Sequence, residues 1–564
     1  MLARFLAASL SLLAILSAPL PGADAKRPNS DTVRTWQSRK YGMFIHFGLY
    51  SLLGGVWKGR QYSGNYSEQI QSDAKIPEDE YAALARQFRP DRWDPDAIVR
   101  LAQDAGMQFI VLTAKHHDGF SLFATKASSF NVVNASPYGK DIVESLAQAC
   151  ARRHMAFGVY YSTIDWHFGD VPEPRNDNAI SPAHEAFNVT QLRELATGYG
   201  PLSEIWFDMG HPTKLQSKRF ADTVHEYQPQ CMVSGRVWNS EGDFAEMGDD
   251  EIPDFIQDEP WESPASIFPE TWGYRSWQKR TDLDQKIQEH IERLAMVVSR
   301  GGNYILNIGP KGDGSVVDYE AAVLRGTGAW LKRNGEAIYD AAPQPFRKLD
   351  FGYATTKGSR LYLFVEKFPS DGQLKLAGME NHIRRAYVLG DTTGETLESR
   401  TDGAGGWVTA PAPNGKFLPV VVVEFDGVLK VQQPATAPGA DGSIVLTSEL
   451  ADHFYNRNNE GYYDPSTVRK QRWYFSVERA GAYRVEVSHK PGKFARVLDI
   501  TVNGKTLRAL VYGDEKGPAT AGVFELKPSH DVELSISRGS PAERGAPLDI
   551  DLDRISLIPA TLKQ

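Results

Sequence analysis

Between residues 26 and about 345, short apolar runs alternate with amphipathic stretches, and that alternation leaves few folds open. The runs KYGMFIHFG (40–48), MQFIVLTAKHHDG (107–119), MAFGVYYS (155–162), SEIWFD (203–208), CMVSGR (231–236) and GNYILNIGP (302–310) read as strands. Helical patterns lie between them. In DPDAIVRLAQDAG (94–106), Asp94 suits the N-cap, Pro95 the first helical position and Gly106 the residue past the end. Strand–helix alternation on this scale predicts a (β/α)8 TIM-like barrel. A doubly wound open sheet is the rival, but no Gly-x-Gly-x-x-Gly follows any of these strands. Residues 240–275 are irregular and yield no assignable sixth strand.

Beyond about 345 the helical period disappears. SRLYLFVEKF and FLPVVVVEFDG read as strands of a small β-sandwich over 346–431. A Pro/Ala/Gly-rich linker, QQPATAPGADGS (432–443), leads to a second strand-and-turn block over 443–564. At the other end, Arg4, the apolar run Phe5–Leu20 and the small-x-small site Ala23-Asp24-Ala25 form the pattern of a secretory signal peptide over 1–25. The run is shorter than the ~20 continuous apolar residues of a membrane span. The chain is therefore expected to be exported: periplasmic or secreted, or lysosomal in a eukaryotic source. A net charge of −9 without a basic cluster argues against a nucleic-acid partner. Cys150 and Cys231 read as unpaired buried thiols rather than a bridge.

In a barrel the C-terminal strand ends form the working face. The polar residues that close these strands are His46, then His116-His117-Asp118, Tyr161, Asp208 and Arg236. Any one could be a satisfied structural residue, but five strands all ending in such groups point to a site. Asp208 stands out because SEIWFDMG places a carboxylate at the end of a buried run, where a lone charge is costly. A cap on a following helix is the structural alternative. Metal hydrolysis fits poorly, since adjacent His116 and His117 would point to opposite faces of a regular strand and no His-x-His or His-Glu-x-x-His spacing occurs. Serine hydrolysis lacks its Gly-x-Ser-x-Gly elbow. Glycoside hydrolysis needs two carboxyl groups across the scissile bond, among neutral donors and acceptors.

The motifs WQSRKYGMFIHFGLYS, LTAKHHDGFSLF, YYSTIDWH, QLRELATGYGPLSEIWFD, WESPASIFPETWGYRSW, SRGGNYILNIGPKGDG and GAWLKRNGEAIY resemble, in order and spacing, the α-L-fucosidases of glycoside hydrolase family 29. The resemblance covers about residues 36–340. It implies retaining removal of terminal α-L-fucose from a fucosylated oligosaccharide or glycoconjugate, with no cofactor and no metal. Asp208 matches the family nucleophile, although Met209 separates it from Gly210. His46, His116, His117, Tyr161 and Arg236 match residues around the sugar. Glu68 matches a Glu usually followed by Trp, where this chain has Gln69. Trp272 matches the aromatic wall facing the methyl group of fucose, and Trp57 and Trp166 are expected at the entrance or in the core. The acid/base is expected at Glu251, in a GDDE context, with Glu262 and Glu246 as alternatives. The last block resembles a galactose-binding-type carbohydrate-binding module; a structural sandwich is the other reading. Two further functions stand beside the main one: an exo-glycosidase for a related sugar such as L-galactose, and a non-catalytic sugar-binding protein.

Overall fold

The computed structural model describes residues 27–560 apart from 63, 65, 170, 172, 254–255, 412–416, 456–467, 493–494, 513–516 and 540–547. The expected leader, 1–25, lies outside the described residues. Eight parallel strands form one sheet: β1 Tyr41–Ile45, β2 Phe109–Lys115, β3 Ala156–Ser162, β4 Glu204–Asp208, β5 Met232–Val233, β6 Ala245–Glu246, β7 Trp261–Ser266 and β8 Asn303–Ile308. Their order is β5-β4-β3-β2-β1-β8-β7-β6. That is chain order read around a circle, and a parallel bridge between Ser234 and Phe244 joins the two end strands. The expected TIM-like barrel is therefore the observed one.

The longer helices of this part are α1 Ser30–Ser38, α2 Pro95–Asp104, α3 Ile142–Arg152, α4 Pro182–Gly198, α5 Lys214–Tyr227, α6 Leu283–Ser299 and α7 Asp318–Asn334. The signals at α2 behave as written in its sequence: Asp94 Oδ1 accepts the Ala97 N–H at 2.9 Å, and Gly106 takes a left-handed φ of 81° past the end. Between β5 and β6 a 3-10 turn, Gly235–Val237, replaces a helix, and none lies between β6 and β7 among the described residues. With a two-residue β6 and no helical period around it, this region offered the sequence reading nothing periodic to detect.

Strand alternation sorts the side chains. Phe44, Phe109, Val111, Tyr160, Trp206, Met232, Phe244 and Ile305 pack together inside the barrel, while Met43, Ile45, Ile110, Leu112, Val159, Tyr161, Ile205 and Phe207 face the helices. Gly42 makes room for this interior, since a Cβ there would sit 2.3 Å from the Phe109 ring. Both cysteines are buried and free.

After the barrel come two pairs of antiparallel sheets. A four-stranded sheet (Gly352–Lys357, Arg360–Val365, Ile383–Val388, Val420–Phe425) accompanies a three-stranded one (Gln373–Ala377, Ser399–Asp402, Gly405–Thr409). Then a four-stranded sheet (Ile444–Thr447, Gly481–His489, Ala519–Leu526, Leu552–Pro559) accompanies a five-stranded one (Asp452–Tyr455, Val468–Val477, Arg496–Val502, Lys505–Val511, Ser529–Arg538). Asp452–Tyr455 is an edge of that last sheet.

Candidate active site

At the C-terminal mouth of the barrel lies a small pocket. Its walls include His46, Glu68, His116, His117, Tyr160, Asp208, Arg236, Asp249 and Trp272. A larger cleft opens at the opposite end of the barrel, beside Trp36, Arg39 and His154, but it gathers no comparable ring of carboxyl and imidazole groups.

Asp208 ends β4 with its side chain inward, because it shares parity with Glu204 and Trp206. It caps no helix: the next one, α5, is capped by Thr213, with Gln216 returning the capping-box bond. Asp208 Oδ2 accepts the Tyr160 hydroxyl at 2.8 Å, and Oδ1 accepts Arg236 Nη1 at 3.1 Å. Burial raises the Asp208 pKa, and the Arg236 charge and the Tyr160 bond oppose that rise. The backbone then turns sharply, since Met209 adopts a left-handed φ of 54°. For a side chain other than glycine this conformation costs on the order of 1–3 kcal/mol, and such strain tends to collect at functional sites.

The three imidazoles converge by different routes. His46 lies just past β1, and its Nδ1–H donates to Asn307 Oδ1 at 2.7 Å. Asn307 in turn donates to the Trp272 carbonyl at 2.7 Å. β2 ends at Lys115, so His116 and His117 lie beyond regular alternation and both line the pocket. The Ser162 hydroxyl donates to the Ile164 carbonyl at 3.1 Å, which makes His117 Nδ1 the donor in its 2.7 Å bond to Ser162 Oγ. In His46 and His117 the proton therefore sits on Nδ1, leaving Nε2 as an acceptor. Burial lowers all three pKa values, to about 4 for His46, about 3 for His117 and well below the usual range for His116. Neutral rings with free acceptors suit sugar hydroxyls.

Glu68 lines the pocket and fastens its wall. Its Oε2 accepts the N–H groups of Trp272 and Gly273 at 3.2 and 2.7 Å, and burial raises its pKa to about 7. Trp272 faces His46 with ring centres 5.3 Å apart.

Several expected residues stand elsewhere. Tyr161 is not a pocket residue; it faces the helices, its hydroxyl 2.8 Å from Asn188 Oδ1 and 2.7 Å from Gln191 Oε1. Tyr160 takes the inward place because β3 pairs Tyr160 with Trp206 and Tyr161 with Phe207. Trp57 lies outside the pocket lining, in a short hairpin formed by Val56–Trp57 and Arg60–Gln61. Trp166 is buried behind His117, ring centres 5.4 Å apart, and lines a separate cleft with Ile76 and Phe168. Arg236 belongs to the 3-10 turn, not to the end of β5.

The three candidate glutamates, none of which is in the pocket lining, separate by burial. Glu246 and Glu262 are paired neighbours on β6 and β7, fully buried and absent from the pocket lining. Glu246 Oε2 accepts the Arg236 backbone N–H at 3.0 Å, and Glu262 Oε1 accepts the Trp206 indole N–H at 3.2 Å. Burial pushes Glu246 to about 8 and Glu262 well above the usual range, with Glu204 and Glu246 adding to the rise at Glu262. Both are thus bonded to groups that wall the pocket, Arg236 and Trp206, from the buried side. Glu251 sits on the segment that leaves β6, partly exposed, with Oε2 unbonded among the described residues. Burial and then the Asp249 charge raise its pKa, while Arg236 acts in the other direction.

Asp249 had no signal in the sequence beyond its charge. Its Oδ1 accepts Arg236 Nη2 at 2.8 Å and its Oδ2 accepts the Tyr66 hydroxyl at 3.2 Å. Tyr160 was within reach of the sequence, because the parity that points Asp208 inward also selects it.

The alpha-L-fucosidase family model matches residues 22–336. The tissue alpha-L-fucosidase of Rattus norvegicus is 31% identical over 408 residues, spanning 68% of this chain and 87% of that one. That of Homo sapiens is 31% identical over 359 residues, spanning 60% and 76%. The crystal structure of alpha-L-fucosidase from Vibrio sp. strain EJY3 matches with a TM-score of 0.68 at 25% identity, covering 95% of this chain and 99% of that one. A family 29 alpha-L-fucosidase from Bacteroides thetaiotaomicron, a trapped covalent intermediate in complex with 2-fluoro-fucosyl fluoride, matches with a TM-score of 0.65 at 27% identity, covering 73% and 100%.

Proposed function

The chain belongs to the alpha-L-fucosidase family of glycoside hydrolases, and we propose that Asp208 and Glu251 divide its reaction between them as nucleophile and acid/base. In the first step an Asp208 oxygen attacks the anomeric carbon of a terminal α-L-fucosyl group, and the glycosidic bond breaks as Glu251 gives its proton to the departing oxygen. In the second, the Glu251 carboxylate takes a proton from water. The hydroxyl oxygen bonds to the anomeric carbon and Asp208 leaves, with overall retention of configuration.

The observation that carries this reading is the fixed carboxylate of Asp208, held between Tyr160 and Arg236 beside three neutral imidazoles. Two donors favour its ionised form against the effect of burial and align it, and positioning of that kind supplies a large part of a rate enhancement. Glu251 fits the other role because its carboxyl holds its proton more tightly than usual and sits close enough to feel both Arg236 and Asp249. Trp272 provides an apolar wall suited to the methyl carbon of fucose, which also weighs against L-galactose, with a hydroxyl there. The trapped covalent intermediate of the Bacteroides thetaiotaomicron relative agrees with a two-step route.

The substrate is a fucosylated oligosaccharide or glycoconjugate. Export rests on the Arg4 and Phe5–Leu20 pattern; among the described residues no helix is long and apolar enough to cross a membrane. A 2-fluoro-fucosyl inactivator followed by peptide mass spectrometry should place the adduct on Asp208 and yield none in Asp208→Ala. Glu251→Ala should regain activity with azide; rescue confined to Glu246→Ala or Glu262→Ala would overturn the acid/base assignment.

A further inference from the structure

The segment from Met247 to Pro260 joins two strands with no helix among its described residues, yet it carries both Asp249 and Glu251. Long connections of this kind in a packed domain usually do functional work and need outside support. The barrel fixes the near half. Ser263 Oγ donates to the Glu251 carbonyl at 2.7 Å, the Glu251 N–H donates to the Gly248 carbonyl at 2.9 Å, and Arg293 of α6 donates to the Asp250 carbonyl at 3.0 Å.

The far half is held by the last β-sandwich. Gln257 Nε2 donates to the His453 carbonyl at 3.1 Å, and the Tyr455 N–H donates to Gln257 Oε1 at 3.2 Å. One side-chain amide thus satisfies both kinds of backbone group on the edge strand Asp452–Tyr455, groups that an edge otherwise leaves open. Beside it, Arg469 pairs with Asp258 and lies 3.6 Å from Glu259, while its Nε donates to the Tyr455 carbonyl at 2.7 Å. Lys470 stands 3.6 Å from Asp258. The same strand is moored to the start of the middle sandwich through Arg347, whose Nε donates to Asp452 Oδ1 at 3.0 Å.

We propose that the C-terminal sandwich is a clamp on the segment bearing Glu251, with Gln257 and Arg469 as positioning residues that set where the acid/base stands; this rests on the assignment of Glu251 made above. The physical reason is that the side chain itself is not tethered: Glu251 Oε2 has no bond of its own among the described residues, so its place depends on where the backbone anchors on either side hold the segment. A displacement of about 1 Å in a catalytic group can cost on the order of a hundredfold in rate.

The test compares substrates that differ in their need for a proton. An alkyl α-L-fucoside expels an alkoxide and needs the acid, whereas α-L-fucosyl fluoride needs it far less. In the full-length enzyme, Gln257→Ala, Arg469→Glu and Asp258→Arg should each lower kcat/KM on the alkyl fucoside by about tenfold. On the fluoride they should change it by less than about twofold. The Asp258→Arg/Arg469→Glu swap should restore the alkyl-fucoside activity. Equal losses on both substrates, or none on either, would overturn the clamp. Glu251→Ala is the control: if it shows the substrate split and the clamp variants do not, the clamp alone fails. If Glu251→Ala shows no split, the acid/base assignment fails.

Discussion

Tyr160 donates its hydroxyl hydrogen to Asp208 Oδ2 at 2.8 Å, across two neighbouring strands of the barrel. The pairing of Tyr160 with Trp206 and of Ser162 with Asp208 puts the phenol one inward step below the carboxylate, so strand register alone sets the contact.

Removing that donor should be felt as a change in ionisation. The bond lowers the Asp208 pKa, so Tyr160→Phe should raise it and move the acidic limb of the kcat/KM–pH profile upward. Activity at the optimum should fall by about ten- to a hundredfold, the scale of a hydrogen bond to a charged group. Tyr161→Phe should leave that profile in place and instead cost about 1–3 kcal/mol of stability in denaturant melts, by leaving buried amide groups unsatisfied.

Arg236 spans Asp208 and Asp249 with its two terminal nitrogens, at 3.1 and 2.8 Å. A lysine keeps the charge but cannot make both bonds at once. Arg236→Lys should therefore lower kcat by about a hundredfold or less, with the fold retained by circular dichroism. A kcat close to that of the parent enzyme would show that charge alone suffices.

The wall around the methyl carbon can be tested through binding. Trp272 packs against His46 and Phe44, with ring centres 5.3 and 6.1 Å apart. Trp272→Ala should raise KM for nitrophenyl fucoside by about tenfold, and the preference over the corresponding L-galactoside should narrow.

Buried carboxyls set the pH range of the fold. Burial raises Glu68, Asp118, Glu204 and Glu320 to about 7 and Glu246 to about 8. The native state then holds protons that the unfolded chain releases, so stability is fullest in mild acid. It should decline as pH rises from the ordinary glutamate value of 4.5 through about 8. Tm measured across that range should fall steadily. In Glu246→Gln, whose amide mimics the protonated acid, the decline should be shallower and activity largely kept.

The legible part of this site came from strand ends. His46, His116, His117, Asp208 and Arg236 lie at or just beyond such ends, and all line the pocket. Tyr161 was misread for want of one step of parity. Asp249 lay in a segment without periodicity, where its bonds to Arg236, 13 positions earlier in the chain, and to Tyr66 distinguish it from a solvated loop acid.

By itself the sequence determined the barrel, the two sandwiches after it and the strand that delivers Asp208, because hydrophobic period and turn residues act over a few positions and are written locally. Only the tertiary structure decided which tyrosine enters the barrel, that Glu246 and Glu262 are sealed beneath the pocket, and that the last sandwich grips the segment carrying Glu251. Those outcomes depend on burial and on bonds between residues as far apart as Gln257 and Tyr455. A carboxyl group is written alike in a sequence whether it faces water or a packed core, and the folded surroundings alone fix its charge and its reach.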